Sequence, residues 1–341
     1  MLTGREVAVL PERAGIEALR AALARTRQLL EIRRGDAGSE WTAVSPDVPF
    51  EWARERPLGG AKRIFCPPEE TLLVWHDATP ALAEPEAAPV ALVGVHPCDL
   101  AAIAYQDRFF ARDPWYMRRR SQAVLIGIDC TAACAGGFCH AVDAGPFARD
   151  GFDVALTPLV DGRVIATPGT PAGRALLDAL GLALEPAAAA LSAAYEAARA
   201  AAAASFPERP FVADAIARVD GGRVTHGEWH ALGVSCFACT GCTNVCPTCS
   251  CFTVVDEGDA TAGTRSRVWD SCLLAGFQRE ASGHTPAPHP GDRVRRFWSH
   301  KLEQHFAAAC GRVGCVGCGR CDVTCPGAIG ALGVMARLGS G

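Results

Sequence analysis

The stretch CFACTGCTNVCPTCSC, from Cys236 to Cys251, spaces Cys236, Cys239 and Cys242 two residues apart, then places Cys246 after three more, ahead of Pro247. At an offset of 79 residues, CVGCGRCDVTCP repeats the arrangement with Cys315, Cys318, Cys321 and Cys325, ahead of Pro326. A loop that turns thiols inward at every third position is built around something, and a chain that does so twice must bring two such loops into one fold. The chain has 341 residues and 17 cysteines. That cysteine count is odd, and a chain long enough for two or three domains has no need of disulfide staples. The N-terminal residues lack the continuous apolar core of a secretion signal, and no apolar run reaches membrane-spanning length. The alanine tract near 186–204 is interrupted by Glu196 and Arg199. A cytoplasmic protein with reduced thiols is the expectation, and metal or redox-cofactor ligation is what those thiols are for. A net charge of −4 supplies no basic field, so nucleic acid is not expected as a partner.

The C-x2-C-x2-C-x3-C-P spacing resembles that of bacterial-type ferredoxins. Small residues at Ala238, Gly241, Gly317 and Gly319 let such a loop wrap closely, with its N–H groups turned toward cluster sulfurs. Zinc also takes C-x2-C pairs, but as four ligands in two separated pairs, without a third evenly spaced cysteine and a Cys-Pro. In two-cluster ferredoxins the fourth cysteine of each run serves the other cluster. That resemblance implies one [4Fe–4S] on Cys236, Cys239, Cys242 and Cys325, and a second on Cys315, Cys318, Cys321 and Cys246.

The runs are 68 residues apart, much further than in a minimal ferredoxin. Val268, Leu273 and Phe277, then Phe297, Leu302 and Phe306, recur at helix-like spacing in that interval. A helical insertion over 252–310, within a ferredoxin-like C-terminal domain over 206–341, is the expectation. The alanine-rich helix and its exit near Pro207 and Pro210 mark the boundary with an α/β domain over 1–205.

In that N-terminal domain two apolar runs read as buried parallel strands, Val90 to Val95 and Ala123 to Asp129. Open α/β sheets place their sites at the carboxyl ends of strands. Cys98 and Cys130 fall there, and Cys134 and Cys139 follow in a glycine-containing loop. The four fit a third [4Fe–4S], a zinc site, or ordinary buried thiols, and His140 is a further possible ligand. Cys66 reads as a buried hydrophobe, and Cys249, Cys251 and Cys272 as packing around a cluster or as reactive thiols. Arg265, Arg267, Arg293, Arg295, Arg296 and Lys301 read as a solvated helix face, the alternative being charges that raise a cluster potential or dock a partner. No G-x-G-x-x-G or P-loop run points to a nucleotide site.

In order, GVHPCDLAAI, GIDC, FCHAVDAGP, GFDVALTP, CTNVCPTCSCF, RVWDSCLLAGF, HK and CVGCGRC resemble the β subunit of cytoplasmic, NAD(P)-linked [NiFe] hydrogenases of the sulfhydrogenase type. The A subunit of anaerobic sulfite reductase is of the same family. The resemblance runs from about Lys62 onward. It implies an electron-carrying iron–sulfur subunit, not catalytic alone, in a hetero-oligomer with NiFe large and small subunits and a flavin subunit that handles NAD(P). A sirohaem chain would be the partner in the sulfite reductase case, and sulfur or polysulfide reduction by the chain itself is the other alternative. Many members carry Cys-Phe-Cys where this chain has Gly137-Phe138-Cys139, and Cys134 is placed to replace the missing thiol.

Overall fold

The computed structural model describes residues 2, 4–36, 38–52 and 55–339. Among the described residues, twelve strands form two sheets: β1 (Glu6–Pro11), β2 (Gln28–Gly35), β3 (Gly38–Val44), β4 (Glu69–His76), β5 (Thr79–Leu82), β6 (Val90–Val95), β7 (Ala123–Ile128), β8 (Val154–Pro158), β9 (Arg163–Pro168), β10 (Glu185–Pro186), β11 (Phe252–Gly258) and β12 (Ala262–Trp269). The larger sheet has the order β10-β1-β9-β8-β7-β6-β2-β3. Its centre is parallel, β2 to β6 to β7 to β8, with antiparallel strands at both flanks. The two runs expected as parallel strands are therefore β6 and β7, paired with each other.

Both are apolar on each face because both faces are covered. Ala91 and Val93 of β6 join a core with Ile16, Leu19 and Leu23 of the helix Glu12–Ala24. Leu92 points the other way, into a core with Leu100 and Ile103 of the helix Pro97–Phe109 and with Tyr116. That helix starts directly after β6, with Pro97 in its first turn, where a missing N–H costs nothing.

Asp129, just past β7, is 4% exposed. It accepts hydrogen bonds from the Thr157 hydroxyl at 2.5 Å and the Ala148 N–H at 2.7 Å. Burial outweighs both bonds and pushes its carboxyl up to about 7. A folded-state pKa above the unfolded value means that stability is highest when the group is protonated, and falls as pH rises from about 4 through 7. Asp129→Asn is expected to melt with a shallower pH dependence over that window. It should gain on the wild type by about 1.4 kcal/mol for each pH unit crossed there. Melting curves that stay parallel from pH 4 to 8 would contradict this.

The second sheet, β11-β12-β4-β5, corrects two expectations. The first part of the supposed helical insertion is a β-hairpin: Val268 lies in β12, and Leu273 and Phe277 sit in turns after it. The hairpin also pairs with β4, Arg267 lying opposite Glu70, so a strand from the C-terminal half completes a sheet begun in the N-terminal half. Helix within 252–310 is confined to Pro290–Leu302 and His305–Cys310, which carry Phe297, Leu302 and Phe306. The alanine-rich segment forms the helix Ala189–Ala204, laying Leu191, Ala194 and Tyr195 over Val7 and Ile165. Among the described residues no helix is long and apolar enough to cross a membrane.

Candidate metal centres

The two cysteine runs fold alike. Ala238 and Thr240 have φ of 51° and 63°, and their counterparts Gly317 and Gly319 have 61° and 69°. Left-handed backbone is uncommon outside glycine, so its recurrence at matching positions, once on non-glycine residues, marks a loop shaped to one geometry. Each loop then enters a short helix, Gly241–Val245 or Arg320–Thr324, and these two helices pack together. Both stop at the fourth cysteine in extended backbone, Cys246 at φ −70° and ψ 120°, Cys325 at φ −89° and ψ 106°. The proline that follows each disfavours helical backbone at the preceding residue.

The charges acting on each thiol report its neighbours. Burial pushes Cys242 up to about 12, and Cys246, Cys325, Cys236 and Cys239 add to the shift. Burial likewise pushes Cys315 up to about 12, and both Cys318 and Cys246 add to it. Cys318 is raised by burial and by Cys246, and Cys321 by burial, Asp322, Cys318 and Cys315. Cys246 thus acts on thiols of both runs, on Cys242 of its own and on Cys315 and Cys318 of the second. Crowded thiols resist ionising one after another, and that repulsion is what an iron–sulfur cluster relieves by taking every ligand as thiolate.

Backbone N–H groups already point at three of the sulfurs: Gly317 to Cys315 at 3.4 Å, Ala331 to Cys321 at 3.3 Å and Ile329 to Cys325 at 3.4 Å. Zinc takes four ligands in all, whereas each run carries a third evenly spaced cysteine and a fourth ahead of proline, with N–H groups set on the sulfurs. The residues present fit a four-iron cluster at both runs.

The N-terminal cysteines come together as well. Burial is the first cause of the raised thiols of Cys98, Cys130 and Cys139, the last reaching about 12. Cys139 acts on both Cys98 and Cys130, and Cys134 on both Cys130 and Cys139. A Cβ at Gly137 would stand 2.7 Å from the Cys134 sulfur. Cys134 therefore fills the space beside the position where the resemblance expects a cysteine. His140 instead packs on the Phe206 ring, centroids 4.3 Å apart.

This loop is seated on the second run: the Phe138 N–H donates to the Gly317 carbonyl at 2.7 Å. A Cβ at Gly319 would lie 2.3 Å from the Gly136 carbonyl, so side chains are excluded from the contact. Cys318 acts on both Cys98 and Cys139. The three thiol sets thus form a series, the N-terminal four, then the set around Cys318, then the set around Cys242.

Several residues that hold this arrangement escape sequence reasoning. Arg320, 1% exposed, makes a two-bond ion pair with buried Asp99 at 2.8 and 2.7 Å and donates to the Pro57 carbonyl at 2.7 Å. Arg267 and Arg293, expected on a solvated face, are buried: Arg267 pairs with Glu70 and Asp113, and Arg293 donates to the carbonyls of Leu273, Ala287 and Pro288. Lys301 is buried too, whereas Arg265 is exposed and pairs with Asp256. Cys66 is the buried hydrophobe expected. Cys251 accepts hydrogen bonds from the Cys272 thiol and backbone, which pull it down to about 6.

Residues 235–329 match the family described as a 4Fe–4S dicluster domain. Sulfhydrogenase 2 subunit beta of Pyrococcus furiosus is 30% identical over 294 residues, covering 82% of this chain and 84% of that protein. No solved structure matches the chain.

Proposed function

Because the chain belongs to the family of sulfhydrogenase β subunits, we propose that it relays electrons between a NiFe hydrogenase module of large and small subunits and a flavin subunit that handles NAD(P). The observation that carries this reading is the series of three thiol sets, linked through Cys318. Cys236, Cys239, Cys242 and Cys325 would hold one [4Fe–4S], and Cys315, Cys318, Cys321 and Cys246 a second. Cys98, Cys130, Cys134 and Cys139 would hold a third. A [4Fe–4S] centre, when bound, accepts and returns a single electron.

What the chain contributes is ligation, exclusion of water and local dipoles. Cys318 and Cys139 are buried, while Cys239 is exposed and the nearby Phe237 is 72% exposed. The loop Cys236 to Cys239 is therefore the side on which a partner can approach closely. The test uses the complete complex under hydrogen: visible cluster absorbance should bleach and then recover when NAD(P)+ is added. A β subunit that stays oxidised under hydrogen while the NiFe module is active would overturn the reading. A second reading, sulfur or polysulfide reduction by the chain itself, is favoured by the lowered Cys251 thiol beside Cys272. It requires activity in the isolated chain that Cys272→Ser abolishes at unchanged iron.

A further inference from the structure

Lys301 and Lys62 are buried, at 5% and 7% exposure. The Lys301 ammonium donates to the Thr248 hydroxyl oxygen at 3.0 Å. That of Lys62 donates to the Cys249 carbonyl at 3.2 Å and lies 3.7 Å from the Trp269 ring centroid. Buried Arg20, Arg267 and Arg320 each meet a carboxylate. Among the described residues no Asp or Glu oxygen stands in ion-pair range of either lysine. A buried charge without a counter-charge is costly, so the position of these two requires an anion of another kind. The largest negative contributions on both come from the Cys246 and Cys249 sulfurs; they outweigh burial at Lys301 and raise it, whereas burial prevails at Lys62 and lowers it.

The contact is specific to one run. The Thr248 oxygen, which accepts the Lys301 hydrogen bond, lies 3.3 Å from the Cys246 sulfur. At the offset of 79 that relates the runs, Gly327 stands for Thr248 and Ala328 for Cys249. Neither has a polar side chain to offer Cys325, which receives the Ile329 N–H instead. Two further cations stand beside the second run: Arg320, whose charge is matched by Asp99, and Arg312, which acts on Cys315 and donates to the Val142 and Asp143 carbonyls. The second site is thus set apart by the Lys301 and Lys62 ammonium groups and the Thr248 hydroxyl. Against them stands Asp322, whose carboxylate lies 3.9 Å from the Cys321 sulfur where the first run has Thr243, and which accepts the Leu332 and Gly333 N–H groups.

Resting on the ligand assignment above, we propose that Lys301, acting through Thr248 and backed by Lys62, sets the reduction potential at Cys246, Cys315, Cys318 and Cys321 above that at Cys236, Cys239, Cys242 and Cys325. Reduction adds one negative charge to the thiolate-ligated site. A cation held in a low-dielectric interior stabilises the reduced form over the oxidised one. Lys301 and Thr248 are positioning residues here: they touch a ligand, not the reacting irons. The consequence is directional, because an electron entering at the exposed Cys239 side is drawn inward to the buried site beside the N-terminal set.

The experiment is a potentiometric titration followed by EPR on the iron-loaded full chain, comparing wild type with Lys301→Met, Lys301→Arg and Thr248→Val. Lys301→Met should move the more positive of the two C-terminal centres to lower potential. The expected shift is at least tenfold in its reduced-to-oxidised ratio at fixed ambient potential, about 59 mV for a one-electron couple, with the other centre unmoved. Lys301→Arg should keep most of the wild-type value, and Thr248→Val should shift in the same direction by less. Wild-type potentials in both Lys301→Met and Thr248→Val, or equal movement of both centres, would overturn the proposal. If Lys301→Met does not retain iron, the near-isosteric Thr248→Val decides alone, and an unmoved potential there overturns it. Wild-type protein without iron would instead remove the ligand assignment on which the proposal stands.

Discussion

Cys246→Ser is expected to abolish the centre of the other run, not its own. Cys246 acts on Cys315 and Cys318, and Cys325 is among the charges acting on Cys242. The serine variant should lose about four irons and the magnetic interaction between the two C-terminal centres. The surviving signal should be the one that Cys315→Ser also leaves. Cys325→Ser should leave the complementary signal, shared with Cys236→Ser. The expectation rests on the extended backbone at both fourth cysteines, fixed by Pro247 and Pro326. If Cys246→Ser and Cys236→Ser leave the same surviving signal, each run closes on itself and the crossed assignment is wrong.

Arg320→Met is expected to produce the largest loss of stability among single changes away from the thiols. Both partners of the Arg320–Asp99 pair are 1% exposed, and the guanidinium bonds to Asp99 and to Pro57 cross from the dicluster region to the N-terminal half. Removing the cation leaves a buried carboxylate without a partner, which costs about 3–5 kcal/mol. In a chain of this size that corresponds to a fall of roughly 4–7 °C in melting temperature. The double variant Arg320→Met with Asp99→Leu should recover much of the loss, because it no longer strands a charge. Scanning calorimetry checks this, and a single-variant loss below about 1 kcal/mol would place the pair among weak surface bridges.

The cysteine runs are legible because ligand spacing is local: three thiols and a turn fit within a short loop. The strands β6 and β7 are legible for a related reason, since VALVGV and AVLIGI are apolar on both faces and carry cysteines at their ends. The hairpin β11–β12 escapes a local reading because its partner is β4, with Arg267 opposite Glu70 from the other half of the chain. The apolar residues of RVWDSCLLAGF fit a helical period just as well. Charge placement fails for the same reason. Arg267, Arg293, Lys301 and Arg320 carry nothing in their local sequence that distinguishes a buried cation from a solvated one. Their partners, Glu70, the Leu273 carbonyl, Thr248 and Asp99, are set by the assembled fold. Cys134 lies between these cases: its proximity to Gly137 follows from a tight loop, with the Gly137 N–H donating to the Cys134 carbonyl at 3.0 Å.

The most direct test of the central claim is iron, acid-labile sulfide and zinc per chain on anaerobically purified protein, with EPR of the reduced form. The account predicts about twelve irons and as many sulfides, reversible reduction, and a fall by about four irons in Cys130→Ser. Stoichiometric zinc in place of iron, or iron that takes up no electron reversibly, would contradict it.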